Sequence, residues 1–150
     1  MKNKQSYFQS YVSVDCVVLG YDEVENRLQA LLIKQKNPNK QNVESFKSQF
    51  ALPGDLIKDD ESLDDAANRI LNELTHIKGL YLQQFYTFGQ PERVSDPKDM
   101  EWLKGYRKDP NARVITVAYL ALVRIDHISP LAGSFAENTI WRSIKKIAAL

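Results

Sequence analysis

Sulfur and imidazole are scarce in this sequence. Its 150 residues hold one cysteine, Cys16, and two histidines, His76 and His127. A single thiol excludes an internal disulfide framework and a zinc site built on cysteines, and two imidazoles are too few for a histidine metal cluster. An excess of one charge is also lacking: 20 Lys and Arg face 19 Asp and Glu, for a net charge of +1. Chains whose main task is to grip phosphate backbones carry a clear basic excess. No apolar run approaches the ~20 residues that span a bilayer. The opening Met-Lys-Asn-Lys-Gln-Ser is not followed by the apolar stretch of a secretory signal. The reading is a cytoplasmic protein with no membrane partner.

What is present is an ordinary globular composition, 43% hydrophobic and 26% charged. The length fits one domain that can bury roughly two-thirds of its unfolded surface. Residues 1–12 read as an N-terminal tail and residues 13–150 as the domain. Residues 13–20, Ser-Val-Asp-Cys-Val-Val-Leu-Gly, are β-branched and closed by glycine, which predicts a largely buried strand. A polar turn leads to a second strand over residues 28–34, so the two form a hairpin. Residues 36–48 are polar and predict a loop. Residues 80–88 predict another strand, and residues 114–125, the longest apolar run, predict a central one.

The clearest helix covers residues 62–75. Ser62 with Asp65 three residues on has the form of a capping box. Behind it, Leu63, Ala66, Ala67, Ile70, Leu71, Leu74 and Ile77 fall on one helical face. Strand, strand, helix, strand, strand predicts a mixed α/β (α+β) domain. Cys16 on its buried strand reads as a small core residue, and His127 stands in no catalytic constellation.

Residues 52–77, from Leu-Pro-Gly-Asp through the helix, resemble a Nudix box. The family pattern has a glycine, a glutamate, and then the run Arg-Glu-aliphatic-any-Glu-Glu-any-Gly-aliphatic. This chain matches it at Glu61, Arg69, Leu71, Glu73 and Ile77. It departs at Asp55 and His76, where the family has glycine, and at Ile70 and Leu74, where it has glutamate. Further on, Phe88-Gly-Gln-Pro-Glu-Arg93, the run from Arg113 to Tyr119, and Trp141 resemble the ADP-ribose-pyrophosphatase-like branch. Within it the chain is most similar to the N-terminal domains of Nudix-related transcriptional regulators, in which a Nudix-like domain senses a small molecule and a winged helix binds DNA. The chain stops at Ala-Ala-Leu150 inside an apolar-periodic stretch, which leads us to expect a piece cut before such a winged helix.

The resemblance implies a Nudix α/β/α sandwich around a mixed sheet. It also implies a chemistry, the hydrolysis of a nucleoside diphosphate linked to another group X. Attack on a diphosphate needs Mg2+ or Mn2+, and these hard cations want several oxygen ligands. At 100° per residue, positions 70, 73 and 74 lie within about 100° of one another on the helix. Where the family has three carboxylates there, this chain has Ile70, Glu73 and Leu74. Glu73, with Glu61, is the residual metal-ligand set, and Arg69 is the residue that orients a carboxylate. The expectation is that little hydrolysis survives.

Ligand contact falls to Arg93 and Arg113, whose guanidinium groups suit phosphate, with Glu92 and Asp109 as acceptors for sugar hydroxyls. Trp102 and Tyr106 read as aromatics of a surface segment. The leading expectation is an effector-binding domain, a homodimer in the intact regulator, that takes ADP-ribose, a related nucleotide sugar, or a sugar such as arabinose. The alternative is a divergent Nudix hydrolase that recruits metal ligands from among Glu61, Asp60, Glu92 and Asp109.

Overall fold

The computed structural model describes residues 9–36, 50–91 and 113–148. Strand β1 (Tyr11–Asp22) and strand β2 (Arg27–Gln35) form the expected hairpin, antiparallel with Leu19 opposite Ala30 and Asp22 opposite Arg27. Its turn is closed locally: Asp22 Oδ1 accepts from the backbone amides of Val24 and Glu25 at 3.0 and 3.1 Å. Asn26 takes a left-handed conformation with φ 47°, a conformation that asparagine tolerates better than most residues.

Two short strands follow, β3 (Phe50–Ala51) and β4 (Gly54–Leu56), and then helix α1 (Leu63–Thr75). After it come β5 (Gln83–Phe88), β6 (Val114–Arg124), a single 3-10 turn (Ile125–His127), β7 (Ala136–Ser143) and the short α2 (Ile144–Ala148). The strands make one seven-stranded mixed sheet in the order β3-β2-β1-β6-β5, with β4 on β1 and β7 on β2. The run expected to be central, β6, lies parallel to β1 from Tyr11/Val114 to Tyr21/Arg124 and has β5 antiparallel on its other side. β1 holds the middle of the sheet because it pairs with β6 on one side and shares its other side between β4 and β2.

One sheet face and α1 enclose the core. Val14, Cys16 and Val18 from β1, Leu31 and Ile33 from β2, and Val117, Tyr119 and Ala121 from β6 meet Ala66, Ala67, Ile70, Leu71 and Leu74 of α1. These sheet residues alternate along each strand because successive side chains point to opposite faces. The helix begins where the capping pattern predicts. The Ser62 hydroxyl accepts from the Asp65 amide at 3.1 Å and donates to the Asp65 carboxylate at 2.8 Å.

β7 was not anticipated from the sequence. Ala-Glu-Asn-Thr-Ile-Trp-Arg-Ser has mixed polarity and shows little period of its own. It becomes a strand because β2 offers it a ladder from Gln29/Ser143 to Gln35/Ala136, with a register shift at Lys34/Gln35. Trp141, opposite Leu31, then lies over Gly20. A Cβ at Gly20 would sit 2.5 Å from Ile125 Cγ1 and 2.7 Å from Trp141 Cζ3, so the ring closes this end of the core only because position 20 has no side chain.

Candidate functional site

The box residues gather where β4 runs into α1. Three residues before Glu61, the backbone amide of Lys58 donates to Glu61 Oε1 at 2.8 Å, which folds the loop back on itself. Arg69, two turns into the helix, then grips the same carboxylate with both arms of its guanidinium. Nε donates to Oε2 at 2.8 Å and Nη2 to Oε1 at 2.6 Å. Nη2 also reaches the Leu56 carbonyl at 3.0 Å, and Nη1 reaches Glu73 Oε2 at 3.0 Å. Lys58 Nζ stands 3.8 Å from the other oxygen of Glu73.

Arg69 and Glu61 are mostly covered, with 16% and 11% of their side chains exposed, whereas Glu73 is 42% exposed. Arg69 is therefore a mostly covered, paired cation rather than a solvated one. It ties β4, the loop and the helix into one unit. The paired guanidinium and the Lys58 amide hold the Glu61 carboxyl down to about 2, and the same pairing raises Arg69 above its ordinary value.

On the adjoining face of α1, Ile70 and Leu74 are 0% and 1% exposed and belong to the core. The positions where the pattern expects two further carboxylates are thus packed among aliphatic side chains. Among the described residues no three His, Cys, Asp or Glu side chains converge as a metal ion would require. Both oxygens of Glu61 already accept from Arg69, and each oxygen of Glu73 faces a cation. The donor set among the described residues does not fit a divalent cation.

The two glycine departures have separate outcomes. Asp55 stands where the resemblance implies a bare glycine. Its side chain is exposed, with Oδ1 accepting from the Leu56 amide at 2.8 Å. The bare position is Gly54 beside it, where an added Cβ would collide with Asp15 Oδ1. His76 caps α1 in the left-handed region, φ 56°, a conformation usually left to glycine. Its amide donates to the Asn72 carbonyl at 2.8 Å, and its Nδ1 lies 2.6 Å from the Leu131 carbonyl oxygen, which anchors the ring across to the 128–135 loop.

Arg113 stands at the start of β6. Its Nη2 donates to the Gly89 carbonyl at 2.7 Å, just past the end of β5, and its own carbonyl accepts from the Tyr11 amide at 3.1 Å. It therefore joins the ends of three strands. Arg93, Glu92 and Asp109, with Trp102 and Tyr106, lie outside the described residues. Asp60, the other acidic alternative, is exposed in the turn before the helix.

Two further contacts had no sequence signal. Tyr119, 1% exposed on β6, donates its hydroxyl to Asp64 in the first turn of α1, and burial pushes its phenol well above the usual value. Cys16 is fully buried with Sγ 3.5 Å from the Ala67 carbonyl oxygen, and burial pushes its thiol up to about 12, which suits a core residue and not a nucleophile.

No family model matches the chain. It is 30% identical over 149 residues to the ADPR responsive transcriptional repressor NtrR of Acinetobacter baylyi, a match that covers 98% of this chain and 50% of the repressor. The chain thus spans about half the length of that curated relative. Among solved structures it is similar to a MutT/nudix family protein from Enterococcus faecalis, with 27% identity, a TM-score of 0.67, and coverage of 93% of this chain and 46% of the other. It is also similar in fold to the Nudix domain of Shewanella oneidensis NrtR complexed with ADP ribose, with 21% identity, a TM-score of 0.68, and coverage of 99% and 82%.

Proposed function

We propose, from the premise that this chain is a Nudix-like domain, that it is the effector-binding domain of a transcriptional regulator, that its effector is ADP-ribose or a related nucleotide sugar, and that it has lost hydrolysis. The observation that carries the reading is the burial of Ile70 and Leu74, at 0% and 1% exposure, on the helix face where the resemblance implies carboxylates. A hydrolase of this kind needs divalent-ion chemistry on the diphosphate. Here Glu61 is held by Arg69, and Glu73 is shared between Arg69 and Lys58. That arrangement suits a rigid frame beside a binding pocket better than a metal centre. The similarity to an ADPR-responsive repressor supports the regulator reading and ADP-ribose ahead of a plain sugar such as arabinose.

In this reading the intact protein is a homodimer that contacts DNA through residues outside this chain. Effector binding shifts dimer geometry by favouring one of two arrangements, and with it DNA affinity.

Calorimetric titration of ADP-ribose in Mg2+ buffer tests the proposal. The expected result is saturable heat, intact ligand recovered afterwards, and an affinity within a few-fold of wild type for Glu73→Gln. Continuous heat that scales with protein concentration, with AMP released and Glu73→Gln abolishing it, would establish a divergent hydrolase instead.

A further inference from the structure

Strand β5 ends the sheet order β3-β2-β1-β6-β5. It pairs with β6 on one side, and among the described residues no strand pairs with its other side. All six of its residues are exposed. An open strand edge is a row of unpaired amides and carbonyls that recruits another strand, and soluble proteins guard such edges with charge or proline. β5 has neither. Its sequence is Gln-Gln-Phe-Tyr-Thr-Phe, and the run without charge extends over residues 79–91 in a chain that is 26% charged. By contrast β7, which pairs only with β2 among the described residues, holds Glu137 and Arg142.

Register places the side chains along this edge. Gln83 stands opposite Leu120 and Tyr86 opposite Ala118, with Phe85 the extra residue of the register shift between them. Leu120 and Ala118 alternate with the core residues Tyr119 and Val117, so Gln83 and Tyr86 lie on the sheet face away from α1. Two residues before Gln83 comes Tyr81, and two after Leu120 comes Leu122, at the same end of this antiparallel pair. Tyr81 is 82% exposed, Leu122 70%, Tyr86 51% and Phe85 50%. The three aromatics alone present roughly 300–450 Å2 per copy, near half of the ~800 Å2 that each partner of a standard interface buries. A two-fold axis brings a strand residue near its own copy, so any charge there would meet a like charge. An uncharged edge is free of that opposition and fits itself.

We propose that β5 is the seam between two copies of this chain, their β5 strands pairing antiparallel across a two-fold axis with Tyr81, Phe85, Tyr86 and Leu122 covered beside it. The inference rests on the homodimer of the preceding reading and gives it an interface. It shares no residue with the box network.

Sedimentation equilibrium of the 150-residue chain tests the seam. Wild type is expected to sediment as a dimer at about 50 μM, and Tyr86→Lys to weaken the dimer about tenfold or more, because two like charges then meet near the axis. Should Tyr86→Lys fail to fold, Gln83→Lys, at another exposed position of the strand, is expected to do the same. Mixing Tyr86→Lys with Tyr86→Glu should restore the dimer, an effect that general damage to the fold would not give. A wild-type monomer would leave the strip to a partner of other chemistry and overturn the assignment. A dimer that both lysine variants leave intact, or a mixture that stays monomeric, would overturn it equally. Calorimetry with ADP-ribose on wild type separates this proposal from the effector reading. A dimer that Tyr86→Lys splits but that takes up no ADP-ribose supports the seam and sinks the effector reading alone.

Discussion

At the scale of single residues, the structure turns a list of charged side chains into one device. The match to the box pattern brought Glu61, Arg69 and Glu73 to notice together. It did not show that Arg69 spends its donors on both glutamates and on the Leu56 carbonyl, or that the Lys58 amide completes the shell around Glu61. This has a pH consequence. The folded Glu61 carboxyl lies at about 2 against an ordinary 4.5, so its pairing contributes stability above that ordinary value. The contribution is lost as pH falls from 4.5 toward 2, because the unfolded chain then binds a proton that the folded one refuses. Thermal unfolding followed above and within that window should show a steeper fall for wild type than for Glu61→Gln. At neutral pH, Arg69→Leu leaves a mostly covered carboxylate without its partner and should cost about 2–3 kcal/mol in chemical denaturation.

At the scale of elements, α1 carries the proposal of a sensor rather than an enzyme. Its apolar period and its capping residues were legible because both are local properties of consecutive residues. The same face that packs the sheet takes in positions 70 and 74, so restoring the pattern there works against the fold. Ile70→Glu/Leu74→Glu should unfold the chain or lower its melting temperature sharply, since two carboxylates would lie in the core without partners. A variant that stays folded and gains Mg2+-dependent ADP-ribose hydrolysis would refute the assignment of that face to the core. β7 carries the second element-scale prediction. Gly20→Ala places a methyl group against Trp141 and Ile125, and overpacking of this kind costs about 1–3 kcal/mol, readable as a drop in the urea midpoint with an unchanged slope.

For the whole molecule, one sheet face and α1 enclose the core formed by the described residues. The other side of the sheet leaves large apolar groups in water, including Leu122 at 70% and Tyr86 at 51% exposure. Tyr86 and Phe88 lie on it with ring centroids 4.7 Å apart, on the edge strand β5. Among the described residues no helix is long and apolar enough to cross a membrane. With no carboxylate cluster among the described residues to bind it, a divalent ion is expected to matter little. EDTA should leave the melting temperature unchanged and ADP-ribose affinity within a few-fold. A large loss of either on chelation would place a metal in the site after all.

The sequence by itself determined the elements whose signals are local. These are the β1–β2 hairpin, the capped and amphipathic α1, the long apolar β6, and a box pattern in which two carboxylates are replaced. Each depends on neighbours within a turn or a strand, so a one-dimensional reading suffices. The tertiary structure alone decided the remainder, because those contacts join residues that are far apart along the chain. Asp64 meets Tyr119 across 55 residues, and β7 is a strand because β2 holds it. Arg113 binds the far end of β5, and His76 can take glycine's conformation at the end of α1 while its ring is anchored on Leu131. Burial of Ile70 and Leu74 belongs to both levels. Helical spacing put them on one stripe, and only the sheet packed against that stripe shows that it excludes water.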